Sequence, residues 1–83
     1  MTKAQAFAIA RWKAKRERRD WLVWSDRSGA AQVARLTAEA VKRAMLASGT
    51  AGRFHRAAAD GRTYAVTWRM GVIMLRNASV GCI

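Results

Sequence analysis

The stretch RFHRAAADGRTYAVTW (residues 53–68) places two short alternating segments on either side of an Asp60-Gly61 pair. Asp-Gly between two such segments is typical of the central positions of a type I′ turn, which joins strands in a tight hairpin. We therefore predict an antiparallel hairpin in which Ala59 lies opposite Arg62.

This hairpin is the start of a predicted three-stranded meander over residues 53–77, followed by a tail over 78–83. In the predicted register His55 and Val66 lie on the face that forms the core. The other face is open and carries Phe54, Arg56 and Arg76. Cations beside an aromatic ring on an open sheet are typical of surfaces that bind single-stranded nucleic acid. A polar outer face that only keeps the sheet soluble is the alternative.

Upstream of the hairpin the spacing of apolar residues favours a helix. From residue 30 to residue 47 they recur every three or four positions, and Gly49 supplies a stop. The apolar face consists of Ala30, Val33, Leu36, Ala40, Val41, Ala44 and Met45. We predict a helix over residues 30–47 that packs on one face of the sheet.

The first quarter of the chain predicts a helix and a strand. Thr2 and Gln5 have the spacing of a capping box, which predicts a basic helix over residues 2–19. WLVWS (residues 21–25) predicts a short strand buried on both faces, followed by a turn at SDRSG. The predicted order is α-β-α-β-β-β, which is an α+β fold in one domain, residues 1–83, with a mainly antiparallel sheet.

The composition limits the compartment and the partners. At 83 residues an oligomer or a bound partner often contributes to stability, so a homodimer stays open. Cys82 is the only cysteine, which excludes an intrachain disulfide and favours the cytoplasm. No apolar run has the length of a membrane span, and one His with one Cys cannot form a zinc site. We expect no cofactor, no metal and no membrane partner.

The charge balance points to an acidic partner. Sixteen Lys and Arg against five Asp and Glu give a net charge of +11 and a pI near 11.7. The cations are densest in ARWKAKRERRDW (residues 10–21), where like charges repel at helical contact distance and Glu17 is the only acid within the cationic run. The predicted contact residues of this helix are Arg11, Trp12, Lys13, Lys15, Arg16, Arg18 and Arg19. A solvated helix face is the alternative interpretation.

His55 raises the question of catalysis. The segment GRFHRAAADGRTYAVTW (residues 52–68) resembles the basic Gly/His hairpin of HicA-type ribonuclease toxins, and RTYAVTWRMGVIMLRN (residues 62–77) resembles the final strands of RelE/ParE-type toxins. These resemblances imply a toxin-like ribonuclease and assign no catalytic residue. General acid–base chemistry needs a second titratable group, and the chain offers mainly arginines and Tyr64. We therefore favour a packed histidine in a protein that is not an enzyme.

Two functions of different class follow from these patterns. One is a small binding module that contacts nucleic acid, or a nucleoprotein complex, through the cationic helix. The other is docking on an acidic surface of a host protein complex. Small phage-encoded inhibitors, anti-CRISPR proteins included, are similar in size and simplicity. The salt dependence of binding separates the two functions. Affinity that comes from phosphate contacts falls steeply with salt, whereas affinity at a protein interface depends more on a few anchor residues such as Trp12 or Trp21.

Overall fold

A computed structural model describes residues 1–50 and 52–79, which form a four-stranded antiparallel sheet and three helices. The elements in chain order are α1 (Lys3–Glu17), β1 (Trp21–Ser25), β2 (Ala31–Arg35), α2 (Ala38–Ser48), β3 (Arg53–Ala57), β4 (Thr63–Thr67) and α3 (Trp68–Ser79). The spatial order of the strands is β2-β1-β3-β4. The predicted α+β class and the antiparallel sheet are confirmed. The number of strands is also the predicted four, but a strand over residues 31–35 stands in place of the third strand of the meander, and the last element is a third helix. Residues 80–83 of the predicted tail lie outside the described residues.

Local side-chain hydrogen bonds set the start of α1. The Thr2 hydroxyl accepts from the Gln5 N–H at 3.1 Å, and the Gln5 amide oxygen accepts from the Thr2 N–H at 2.8 Å, so the capping box is present. The helix ends at Arg18, whose φ of 54° lies in the left-handed region. That conformation turns the chain from α1 into β1.

The predicted helix over 30–47 is wrong in its first half, because residues 31–35 form a strand. The chain reverses before this strand in a turn held by Asp26. The Asp26 carboxylate accepts hydrogen bonds from the Ser28 hydroxyl and from the N–H groups of Ser28 and Ala30. β2 then pairs with β1 along its whole length. Pairing with the Trp-rich strand therefore overrides the helical spacing of an alanine-rich segment.

The second half of that prediction is confirmed in α2. Thr37 caps the helix by accepting from the Ala40 N–H at 3.1 Å, and Gly49 ends it with its N–H bonded to the Met45 carbonyl. The buried face consists of Ala40, Val41, Ala44 and Met45. All four were predicted on the apolar face.

The β3–β4 hairpin is present, but its register is one residue from the prediction. The Ala58 N–H donates to the Arg62 carbonyl, and Gly61 has a φ of 86°, which is the three-residue loop with a glycine bulge rather than a two-residue type I′ turn. Phe54 therefore lies opposite Val66, and His55 lies opposite Ala65. This shift puts Phe54, not His55, beside Val66 in the core.

The predicted third strand of the meander is also wrong, because residues 68–79 form α3. The Thr67 hydroxyl accepts from the Met70 N–H at 3.4 Å at its start. Gly71 faces α2 so closely that a Cβ there would lie 2.6 Å from the Met45 sulfur. Trp68 and Leu75 pack on the same side of α3, at helical spacing from Gly71.

The helices cover opposite faces of the sheet. α1 packs on one face, over Trp21, Val23 and Ala57, while α2 and α3 pack on the other, over Leu22 and Phe54. β1 is thus buried on both faces, as its sequence predicts. The α1 side and the α2/α3 side are therefore two separate surfaces.

Candidate nucleic-acid interface

The face of α1 that meets the sheet is made of alanines alone at its centre. Ala6, Ala10 and Ala14 are fully buried and recur every fourth residue, so one narrow stripe faces the sheet. Methyl side chains let the helix backbone approach the sheet closely. The rest of the helix circumference is therefore available to cations.

The predicted contact residues within α1 and directly after it are almost all exposed. Exposed to solvent are Arg11, Trp12, Lys15, Arg16, Arg18 and Arg19. Lys13 is half-buried, with its ammonium 5.1 Å from the centre of the Trp21 ring. Lys13 therefore belongs partly to the packing of the helix on β1.

Trp12 gives this surface a flat apolar centre. It is 57% exposed, and the guanidinium of Arg16 lies 5.0 Å from the centre of its ring. A tryptophan stacked with an arginine on a rigid helix is suited to contact a planar group that carries negative charge nearby. We call the exposed side chains of Arg11, Trp12, Lys15, Arg16, Arg18 and Arg19 the α1 cationic face.

Acidic residues do not neutralise the α1 cationic face. Among the residues that the structure describes, Glu17 pairs with Arg35 at 3.1 Å, away from its neighbours in the cationic run. The other two ion pairs, Glu39 with Arg43 and Asp20 with Arg56, lie on other elements. The positive charge of α1 is thus open to an external anion.

The remaining carboxylates stabilise turns. Asp26 holds the β1–β2 turn, and its hydrogen bonds, that of the Ser28 hydroxyl first, lower its pKa. Asp60 accepts from the Arg62 N–H at 2.9 Å in the β3–β4 turn. Both acids therefore serve local structure and leave the cationic helix uncompensated.

The structure separates the three predicted sheet residues from α1. Phe54 is 1% exposed beneath α2, so its prediction as a contact residue is wrong. Arg56 lies on the same side of the sheet, bonded to Asp20 at 2.6 Å and stacked on Tyr64 at 4.8 Å. Arg76 is exposed on α3 rather than on a strand. The predicted open sheet face does not exist, since α2 and α3 cover it.

His55 packs on the α1 side. Its ring meets the Phe7 ring edge-on, with centroids 4.9 Å apart. Partial burial, then the positive charges of Lys3 and Arg53, lower the pKa of His55, which favours the neutral imidazole. Within the described residues no hydrogen bond joins this imidazole to a carboxylate. The packed histidine predicted from the sequence agrees with this environment.

Two cations on the α1 side of the sheet, Lys3 and Arg53, were not among the predicted contact residues. Both lie close enough to His55 to shift its pKa. Arg53 shares a face with His55 by strand alternation. The correct hairpin register and the position of α1 on this face were the missing signals.

Two other kinds of site, a metal centre and a membrane span, have no basis in residues 1–50 and 52–79. No group of three His, Cys, Asp or Glu side chains there could hold a metal ion. No helix in this part of the chain has the length and apolar character needed to span a membrane. Comparisons of the chain with protein-family models, with curated proteins and with solved structures find no match.

Proposed function

We propose that this chain is a small non-enzymatic binding protein of the cytoplasm that contacts nucleic acid through the α1 cationic face. One observation supports it most directly: a dense row of cations without carboxylate partners surrounds an exposed tryptophan on a helix fixed to the sheet. Holding like charges together costs free energy in the unbound protein. A polyanion relieves that repulsion when it binds.

Nucleic acid fits this face better than a small anion does. The five cations of the face lie between residues 11 and 19, a stretch of roughly 12 Å at the helical rise, so they form a row of separated charges rather than one pocket. Lys and Arg contacts to successive phosphates release counterions, and this release supplies sequence-independent affinity. Trp12 adds a ring on which an unpaired base could stack.

The test is a titration with labelled single- and double-stranded DNA and RNA at several salt concentrations. Five phosphate contacts, one for each cation of the α1 cationic face, predict a slope of log K against log salt of about −4.5 for duplex DNA. Arg16→Glu and Arg19→Glu each lower affinity for all sequences alike and flatten the slope by about one. Lys42→Glu is the matched control, because Lys42 is exposed on α2, on the other side of the sheet.

Trp12→Ala extends this test to base stacking. Loss of one stacked base is worth about 1–3 kcal/mol, so binding of single strands should weaken more than binding of duplex. Absence of binding to all four nucleic acids at about 50 mM salt, where phosphate contacts are strong, refutes the proposal.

The second candidate is an acidic protein surface, as in an anti-CRISPR-like inhibitor. The exposed Trp12-Arg16 pair favours it, because Trp and Arg are enriched among the residues that dominate protein interfaces. In that case Trp12→Ala is the most damaging variant, affinity falls much less with salt, and the partner stays bound after nuclease treatment.

A further inference from the structure

A second surface lies on the other side of the sheet, between α3 and β4. It is a groove of about 730 Å³. One wall consists of Met70, Ile73 and Met74 of α3, and the other includes Tyr64 and Val66 of β4. The nucleic-acid proposal uses none of these residues.

The groove exposes apolar side chains in a chain that is otherwise strongly charged. Met70 is 51% exposed, Ile73 is 50% exposed and Tyr64 is 39% exposed. Contiguous exposed apolar groups at one place are typical of an interaction site, and methionine adapts to the shape of what it contacts. These side chains could therefore receive the apolar side chains of a partner.

The groove also reaches the backbone of the outer strand. Thr63 and Ala65 line it, although their side chains project to the α1 side with those of Ala57 and His55, their partners on β3. Their contribution to the groove therefore comes from their backbone atoms. β4 is the last strand of the described sheet, so no described strand pairs with its outer edge.

The hairpin hydrogen bonds determine which backbone groups face outward. The Ala58 N–H donates to the Arg62 carbonyl, so Arg62, Tyr64 and Val66 direct their backbone groups toward β3. The N–H and C=O groups of Thr63 and Ala65 then face away from the sheet. An added strand would bond to these groups.

The charges around the groove select the partner. Residues 61–83 contain no Asp or Glu, and the carboxylate that lines the described groove, Asp20, is paired with Arg56 at 2.6 Å. Arg62 precedes β4, and Arg69 and Arg76 lie four residues before and three residues after Ile73, which makes them its neighbours on the surface of α3. No described carboxylate pairs with these three arginines. A second copy of this chain would bring a further charge of +11 to the same place.

We propose that the β4 edge binds an extended acidic segment of a partner protein as a fifth strand, with alternate aliphatic side chains in the groove. Main-chain hydrogen bonds to Thr63 and Ala65 supply affinity, and the groove selects the alternating pattern. Five residues of strand extend about 17 Å, enough to place two or three side chains of one strand face against α3. The acidic side chains between them project to the α1 side of the sheet, where the Lys15 side chain lies beside Gly61 in the β3–β4 turn. The arginines near the groove attract the acidic segment at longer range.

A labelled octapeptide of alternating glutamate and leucine or valine tests this proposal by fluorescence anisotropy on the whole chain. A scrambled peptide of the same composition, with its apolar residues in one block, is the control for charge alone. We expect the alternating peptide to bind at least tenfold more tightly, and the outward N–H groups of Thr63 and Ala65 to exchange hydrogen more slowly when it is bound.

Three variants locate the binding. Ile73→Glu should lower the affinity for the alternating peptide at least tenfold. Val72→Glu adds the same charge at an exposed α3 residue outside the groove lining and should change that affinity less than threefold. Ala65→Pro removes an outward N–H from an edge strand, where proline is tolerated, and should abolish binding. Arg16→Glu should leave the ratio of the affinities for the two peptides unchanged. Equal binding of both peptides, equal effects of the two α3 variants, or no binding at all overturns the proposal.

Discussion

Replacement of Ala10 by leucine tests the placement of α1 on which the candidate interface depends. Ala10 is fully buried at the centre of the alanine stripe, in one cluster with Trp21 and Val23 of β1. Leucine brings an isobutyl group into a site where a methyl group already excludes solvent. Alanine and leucine both favour helix, so the change acts mainly through packing.

The expected cost of Ala10→Leu is about 1–3 kcal/mol of unfolding free energy, the usual penalty for overpacking a well-packed site. For a domain of this size that lowers the melting temperature by about 5–20 °C. Ala8→Leu is the matched control, because Ala8 is exposed on the same helix. Thermal melts followed by circular dichroism, with urea titrations at 25 °C, measure both.

Equal stability of the two leucine variants would refute this packing. If Ala10→Leu and Ala8→Leu agree within about 0.5 kcal/mol, the typical limit for neutral surface changes, the alanine stripe does not face the sheet. The cationic residues could then not be assigned to the outer side of α1, and the candidate interface would lose its geometric basis.

Two further predictions concern a helix end and the histidine. Arg18→Gly should raise stability by about 1 kcal/mol, because glycine removes the cost of the left-handed backbone at φ 54°; Arg18→Ala loses the same charge without that gain, and equal melting of the two contradicts the assignment. Because the folded pKa of His55 is below its ordinary value of 6.5, its contribution to stability is complete above pH 6.5 and is lost as the pH falls from there toward the folded pKa. Urea unfolding at pH 7.5 and pH 5 should show this loss in the wild type and a smaller one in His55→Gln; an equal loss in both would assign it to other groups.

Local interactions made several elements readable from the sequence. The capping box at Thr2, the buried spacing of α2 and the glycine at its end involve residues within one or two helical turns. The apolar residues of β1 predicted burial on both faces, because such a run leaves no polar side for solvent. The excess of cations over acids in α1 could likewise be read directly from the sequence, because it depends only on composition.

Two elements were predicted wrongly because the spacing of their apolar residues fits both a helix and a strand. The segment AQVAR has helical spacing, but the turn at Asp26 places it beside the edge of β1, where it pairs as a strand. The sequence predicted that the meander continues to residue 77, yet Trp68, Gly71 and Leu75 also have helical spacing, and contact with α2 uses that face. Tertiary contacts decided between the two periods in both cases.

The sequence by itself determined that this protein carries a strongly cationic first helix and an α+β fold, since charge and helical spacing are local. Only the tertiary structure decided which side of the sheet each helix covers and which register β3 and β4 adopt. A shift of one residue in the hairpin moved Phe54 from a predicted contact surface into the core. Strand pairing and helix packing join residues distant in the chain, so the separation of the cationic face of α1 from the apolar groove at β4 follows from the packed fold alone.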